Sequence, residues 1–476
     1  MSDRIPTAVV LGGSLAGLLA ASALDQAGFR VTVVERDALP DTPAPRKGLP
    51  QARHVHQLWS GGARAMERLL PGATERLRAA GVNRVPVTTD VVALSPHGWY
   101  RRWAESAFML PAGRDLLDWV VRQQVLADGR IGLLERTEVL GLVGAAGGTG
   151  GAGGAVTGVR LRGPASSGGE SSERTVTASL VVDCTGRGSR APHWLRELGL
   201  PEPERREVDS RLMYVSRLFR APEGARDGFP VVNIELDPRG GRPGSGGVLM
   251  PMQDGTWMVT LIIRQGGEPA PDAGDFVRYA REGLRHPVIG ELLAGAEPLT
   301  EVAVTRTTAN RRFFFERMPV WPENFVVLGD AVCALNPVYG HGMSVAAQSA
   351  LALRDVIAER GAGSPGLSRH LQRAVGRTVR AAWDLAIGSD VFHPGATATG
   401  PTVRDRVLSA YVGRLLYTAT GNGRIARRVT DVTSLERGAH TLLTPTMLLA
   451  AAVGPLKPPL TGPPLTPEER KAAGLF

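Results

Sequence analysis

Apolar residues run unbroken from Ala8 to Leu11, recur densely from Leu15 to Leu24, and resume in the segment RVTVVE from Arg30 to Glu35. Short apolar runs on either side of a stretch opened by glycines predict a strand at Ala8 to Gly12, a helix at Ser14 to Gln26 and a strand at Arg30 to Glu35. Together they form one βαβ unit. Helical spacing returns at Leu58 to Leu70 and at Asp115 to Leu126 (DLLDWVVRQQVL), the latter preceded by Arg114. Strands are expected at Ile131 to Leu142, Ala155 to Arg162 and Thr175 to Asp183, joined by the surface loops GAAGGTGGAGG and PASSGGESSER. From Met213 to Ile263 the alternation becomes that of a separate sheet, with a hairpin about Asp254 and Gly255. A last buried strand, NFVVLGD, ends at Asp330 and leads through AVCALNPVYGHG to a helix starting near Met343. Beyond residue 376 the pattern is helical until the Pro-rich tail, and no internal repeat occurs.

A chain of 476 residues predicts two or three domains and a sizeable core. The 43% hydrophobic and 21% charged content is that of a globular protein. Formal charge is +9, but the cations are almost all Arg, scattered among acids, and Lys occurs only at 47, 457 and 471. Lacking a basic stripe, the chain is not expected to bind nucleic acid. Cys184 and Cys333, both in apolar context, suggest neither a disulfide framework nor a thiolate metal site, which points to a reducing cytoplasm and no metal. Glycines at 12, 13 and 17 interrupt the apolar stretch from Ala8 to Ala27, which continues into a second strand and offers no cleavage site. The expectation is a soluble or at most peripheral protein with no integral membrane segment.

Chemistry enters at the first turn, GGSLAG. Gly12 permits the tight turn, Gly17 lets helix and strand pack closely, and the free N–H groups of the helix start can receive a pyrophosphate. Ser14 replaces the middle glycine of the dinucleotide fingerprint, which either crowds the phosphate or adds a donor. Glu35 ends the second strand, where it can accept hydrogen bonds from a ribose diol. A second strand end follows about three hundred residues later, Gly329–Asp330, trailed by NPVYGHGMS and a helix. Two strand ends converging on one extended ligand favour FAD over NAD. Asp330 would take a ribityl hydroxyl, and the helix start at Gly342 and Met343 would face the flavin ring.

GGSLAG, DCTGRG and the Gly329–Asp330 pair resemble the group A flavin monooxygenases. The segments RKGLPQARHVHQLWSGG, VVDCTGRGS and VVLGDAVCALNPVYGHGMS resemble more closely the FAD-dependent epoxidases of polyether ionophore biosynthesis, of the lasalocid and monensin type. The resemblance implies an α/β fold: a Rossmann-like FAD-binding domain of the p-hydroxybenzoate hydroxylase and glutathione reductase kind. This domain would comprise residues 1–85, 112–200 and 305–375. A β-rich substrate domain would take 86–111 and 201–304, and a helical region with the Pro-rich tail 376–476. FAD contacts are implied at Gly12, Gly13, Ser14, Leu15, Ala16, Gly17, Glu35, Arg36, Arg114, Asp330, Pro337, Gly340, Gly342 and Met343, with Arg53 or His54 near the ribityl chain. DCTGRG departs from the DG form of hydroxylases that bind NADPH, so electrons would come from NAD(P)H either directly or through a flavin reductase.

The implied reaction is epoxidation of one or more alkenes of a linear polyene polyketide by dioxygen, through a flavin hydroperoxide, with the substrate free or bound to a carrier protein. An alkene has no acidic proton and needs no protein base, so the pocket should be apolar and dry. Its candidate walls are Phe108, Met109, Tyr214, Met250, Met252 and Trp257, each equally readable as ordinary sheet packing. No residue is assigned as catalytic. His341 reads as a turn residue near the flavin, and Tyr214 or a histidine would serve the alternative of aromatic hydroxylation. Halogenation fits less well, since only Lys47 lies ahead of the tail. A non-catalytic nucleotide-binding protein is the alternative of another class.

Overall fold

A computed structural model describes residues 5–104, 107–145, 154–164, 171–238, 245–266, 270–397 and 400–475. The strand Thr7–Leu11, the helix Leu15–Gln26 and the strand Arg30–Val34 form the expected βαβ unit. They belong to a five-stranded parallel sheet in which Phe325–Val327, Leu180–Asp183, Thr7–Leu11, Arg30–Val34 and Gly132–Leu134 lie side by side. The strand carrying Asp330 at its exit is thus two places from the strand that feeds the glycine turn. Helix Gly342–Arg360 packs against helix Leu15–Gln26, and the small residues of the latter (Gly17, Ala20, Ala21, Ala23, all buried) allow the close approach. A Cβ on Gly17 would lie 1.8 Å from the carbonyl oxygen of Gly12, so only glycine fits there.

The second layer is an eight-stranded sheet built on Leu212–Arg220, Thr256–Arg264, Gly246–Pro251, Val231–Ile234 and Val91–Ser95. Residues 252–256 close the expected hairpin, with Asp254 and Gly255 both at positive φ. Strand alternation divides its faces. Val215, Phe219, Trp257, Val259 and Leu261 pack on helices Phe276–Glu282 and Val288–Leu293 in a core of their own. Tyr214, Ser216, Thr260 and Ile262 point to the other side.

Several boundaries differ from the pattern. The stretch 131–142 is two strands, Gly132–Leu134 in the parallel sheet and Glu138–Ala145 in an antiparallel one. Between them Arg136 turns at φ 50°, its N–H bonded to the Asp37 carbonyl. Thr175–Asp183 likewise divides into Ser172–Thr177 and Leu180–Asp183. Residues Gln57–Trp59 pair with Phe108–Pro111 as a strand before helix Ser60–Leu69 begins. The boundary expected at 376 falls inside one helix, Leu367–Asp390, that spans both regions. The tail is ordered: Leu465 and Ala473 are buried in the second core, and Thr466 and Glu469 form a capping box on helix Pro467–Ala472. The centres of the loops GAAGGTGGAGG and PASSGGESSER lie outside the described residues. Cys184 and Cys333 are buried and unpaired, and no His, Cys, Asp or Glu group suited to a metal occurs among the described residues.

Candidate functional site

Three turns leave the carboxyl ends of adjacent parallel strands and meet. Gly12, at φ 101°, passes so near the second turn that a Cβ would stand 2.7 Å from the Cys184 carbonyl oxygen. Gly329, at φ 68°, lies against the first helix, where its Cβ would come within 3.1 Å of that of Ala16. Behind these turns opens a cavity of 2210 Å³ that continues between the two sheets and under the C-terminal helices. That exceeds the roughly 300–1,000 Å³ of a pocket for one small molecule, leaving room for a cofactor and a substrate.

Of the candidate cofactor residues, Gly12, Ser14, Leu15, Ala16, Glu35, Arg36, Arg53, His54, Arg114, Asp330, Pro337, Gly340, Gly342 and Met343 line this cavity. Gly13 and Gly17 do not. The Gly13 N–H donates to Glu35 Oε2 at 2.8 Å, and Gly17 is spent on packing. The Ser14 hydroxyl neither crowds the turn nor caps the helix: it accepts from Arg114 Nη2 at 2.7 Å and donates to Asp118 Oδ1 at 3.0 Å. The helix N–H groups at Leu15 and Ala16 therefore stay open to the cleft.

Beneath the turn lies an ionic cluster in which Arg46 is central and 5% exposed. Its guanidinium reaches Glu35 Oε2 at 3.3 Å, Asp37 Oδ2 at 3.5 Å and Asp118 Oδ2 at 3.3 Å. Asp118 also lies 3.8 Å from both Arg114 and Arg122, one turn away on either side of it. Burial lowers the Arg114 pKa, opposed by Asp118 and Asp330; burial would do the same to Arg46, but its three carboxylates raise it overall. Glu35 takes N–H groups from Gly13 and Asp37 and keeps lone pairs for a diol. Arg46 and Asp118 were not among the sequence candidates. The i, i+4 row Arg114, Asp118, Arg122 on one helix face was the readable sign of Asp118 alone.

Asp330 stands where the chain enters helix Gly342–Arg360, 3.6 Å from where a Cβ on Gly342 would be, and accepts no hydrogen bond among the described residues. Burial pushes its carboxyl up, against the pull of Arg187, Arg114 and Arg311. The intervening loop is pinned by a buried polar cluster that sequence reasoning also missed. Asn336 donates to Asp390 at 2.9 Å and to Ser210 at 3.1 Å, while Asn310 donates to Asp390 at 2.6 Å. The Tyr339 hydroxyl donates to Asp390, and that of Tyr214 to Asn336. Tyr214 also accepts the Val338 N–H at 3.1 Å, so its hydroxyl holds the loop and burial raises its pKa well above the ordinary value. His341 also lines the cavity, at the start of helix Gly342–Arg360: its Nε2 donates to the Thr433 carbonyl at 2.8 Å, and burial pushes its pKa down to about 4. His54 and His56 are likewise pushed down to about 4, again by burial.

Among the six candidate wall residues, Met109 and Tyr214 line the cavity, and Phe108, Met250, Met252 and Trp257 do not. Trp257 is on the wrong face of its strand, fully buried against Phe229. Phe108 lies under the Arg84 guanidinium at 4.2 Å. Met250 and Met252 are roofed by Met109 and Val85 in a small cluster of their own. Val55, Val91, Val231, Val248, Ile262 and Leu415 form the apolar wall instead. Carboxyls line the cavity too, Asp237, Asp384 and Asp405 among them, and that of Glu235 is pushed up to about 7 by burial despite Arg285 nearby.

The set fits FAD. Two helix starts, a turn that only glycine can make, a carboxylate with free lone pairs at each strand end and an arginine beside the first helix match the dinucleotide's phosphates and hydroxyls. Such an arrangement on this pair of sheets is the fold of flavin-dependent monooxygenases and halogenases. The flavin-dependent brominase Bmp2, for one, superposes with a TM-score of 0.63 at 15% identity over 90% of this chain and 93% of its own. Within that fold, the chain is 32% identical over 393 residues to Protein Rv3254 of Mycobacterium tuberculosis, covering 81% of this chain and 80% of that protein. It belongs to the family of that protein. Kynurenine 3-monooxygenase of Salinispora arenicola is 27% identical over 425 residues, 86% of this chain and 82% of the relative. No protein-family model matches.

Proposed function

We propose that the chain is an FAD-dependent monooxygenase that epoxidises an alkene of a linear, apolar polyene of the kind polyketide assembly supplies, as in polyether biosynthesis. Bound FAD, reduced by NAD(P)H directly or through a flavin reductase, would supply the electrons that let dioxygen deliver one oxygen atom. The protein's share is binding, orientation and exclusion of water. The Leu15–Gln26 helix start and Arg114 would hold the pyrophosphate, Glu35 the ribose and Asp330 the ribityl chain. The N-terminus of helix Gly342–Arg360 would face the ring, on a loop kept in place by Asp390, Asn336, Tyr339 and Tyr214. The observation that carries the substrate assignment is the wall itself: aliphatic side chains, with His54, His56 and His341 pushed down to about 4 by burial and the hydroxyls of Tyr214 and Tyr339 engaged and raised in pKa. An alkene needs no base, and such a wall keeps its surroundings dry.

Halogenation is disfavoured because the only lysine on the wall, Lys47, sits beside Gly48 and Asp37 at the ribose end, remote from the substrate lobe. One observation favours a second reading, hydroxylation of an aromatic ring: a carboxyl with a pKa near 7, Glu235, could accept a phenol hydrogen bond. The two readings part on a product panel. Flavin-loaded protein with reductant is offered a linear polyene, a phenol, and a phenol with bromide, and products are resolved by mass spectrometry. Epoxide from the polyene alone is expected; catechol or bromophenol as the principal product would replace the epoxidase reading.

A further inference from the structure

Ten large apolar side chains are exposed among the described residues, and eight of them fall between Val403 and Leu456. They lie on helix Val403–Gly421, on helix Pro445–Val453 and just before and after the latter, and the two helices pack together. Arg414 Nε donates to the Ala451 carbonyl at 2.6 Å, tying helix Val403–Gly421 to helix Pro445–Val453, and the Tyr411 hydroxyl donates to the carbonyl of Leu442, in the turn ahead of that helix, at 2.5 Å. Leu408 and Leu443, 47% and 55% exposed, also line the large cavity, so its mouth opens within this patch. The same segment is basic: residues 400–457 hold eight Arg and Lys against three acids, +5 of the chain's +9. Arg404, Arg406, Arg424, Arg427 and Arg428 form no salt bridge among the described residues. Helix Pro445–Val453 carries no charge at all, yet shows Leu449 to solvent at 66%, with Leu456 beyond it at 71%.

A patch this apolar, on a segment whose arginines outnumber its acids, marks a docking surface. We propose that this face docks on an anionic lipid bilayer and that the cavity is loaded through it. Two copies meeting by this face would set like charges against each other. An acidic protein would satisfy the arginines but leave the charge-free helix against a polar surface, whereas a bilayer interface offers both anionic headgroups and an apolar layer beneath. No described helix is long and apolar enough to cross the membrane, so docking is peripheral. Only the loading clause rests on the lipophilic substrate proposed above.

The test uses the full chain and needs no turnover. Sedimentation with vesicles of phosphatidylcholine alone, and of phosphatidylcholine mixed with phosphatidylglycerol, is expected to show binding to the mixed vesicles only, weakened by salt. Partitioning should fall about tenfold or more in the Leu449→Asp/Leu456→Asp double variant, and comparably in the triple Arg424→Gln/Arg427→Gln/Arg428→Gln, with circular dichroism and flavin content unchanged. Several results would overturn the proposal: no binding to the mixed vesicles, equal binding by wild type and both variants, or light scattering showing a dimer that Leu449→Asp dissociates. So would capture of an acidic carrier protein by the wild type with no vesicle binding. Vesicle binding by a chain that proves inactive on alkenes would leave the docking intact and remove the epoxidase reading alone.

Discussion

Arg46 offers the sharpest test of how the glycine turn is held. Its guanidinium is 5% exposed and lies within 3.5 Å of three carboxylates. Replacing it by Met keeps the bulk and deletes the charge. Asp118 would retain Arg114 and Arg122 at 3.8 Å and the Ser14 hydroxyl, but Glu35 would lose the only cation paired with it among the described residues and keep two backbone N–H groups. Removing one partner of a buried pair costs about 3–5 kcal/mol. Because all three stranded carboxylates keep other partners, Asp37 through the Gly48 N–H and Arg36, the lower end, about 3 kcal/mol, is expected for Arg46→Met. Arg46→Lys should fall in between, since it restores the charge without the fork that reaches several carboxylates at once. The assay is guanidinium unfolding near neutral pH on wild type and both variants, with the ratio of flavin to protein absorbance read on each preparation. Arg46→Met should also purify with less flavin, because Glu35 and Ser14 both take their positions from this cluster. A loss below about 1 kcal/mol with unchanged flavin content would mean that the cluster is solvated decoration.

Asp330→Ala removes the carboxylate at the second strand end and should purify with several-fold less flavin while its unfolding midpoint changes little; full occupancy would take Asp330 out of the site. Glu235 has a folded pKa near 7 against an ordinary 4.5, so between these values the native state holds a proton that the unfolded chain has released. Stability should therefore drop as pH rises from about 4.5 through about 7, by up to about 3 kcal/mol. Glu235→Gln should flatten that slope, and an unchanged slope would contradict the assignment. The same variant should leave epoxidation kcat within about twofold, whereas a hydroxylase would lose it. Ile262→Trp pushes a ring into the cavity from the sheet face that Thr260 shares, and should raise KM for a polyene at least several-fold without changing flavin content. An unaltered KM would place the substrate elsewhere.

The parts of this molecule that were readable in advance are those in which neighbouring residues decide the structure. Three short apolar runs and a glycine turn predict the βαβ unit because a 1.8 Å clash at Gly17 admits no other residue. Asp330 could be placed because it follows a buried strand directly. What escaped is what depends on residues far apart. Arg46 meets Asp118 across 72 positions and Asn336 meets Asp390 across 54, and no local pattern pairs them. The wall residues were chosen by type, favouring Met and Trp, where strand parity decides: Trp257 faces the second core and Ile262 the cavity, because odd and even positions point apart. Met250 escaped even that rule, since a neighbouring strand covers it.

In the proposed reaction a flavin held between two strand ends lets one atom of dioxygen pass to an alkene lying along the aliphatic wall. The most direct measurement is mass spectrometry of the products when reduced, flavin-loaded protein meets a linear polyene under oxygen-18 gas. Epoxide carrying one labelled atom for each alkene oxidised is expected. Label found only in hydrogen peroxide, across several polyenes, would contradict that reaction.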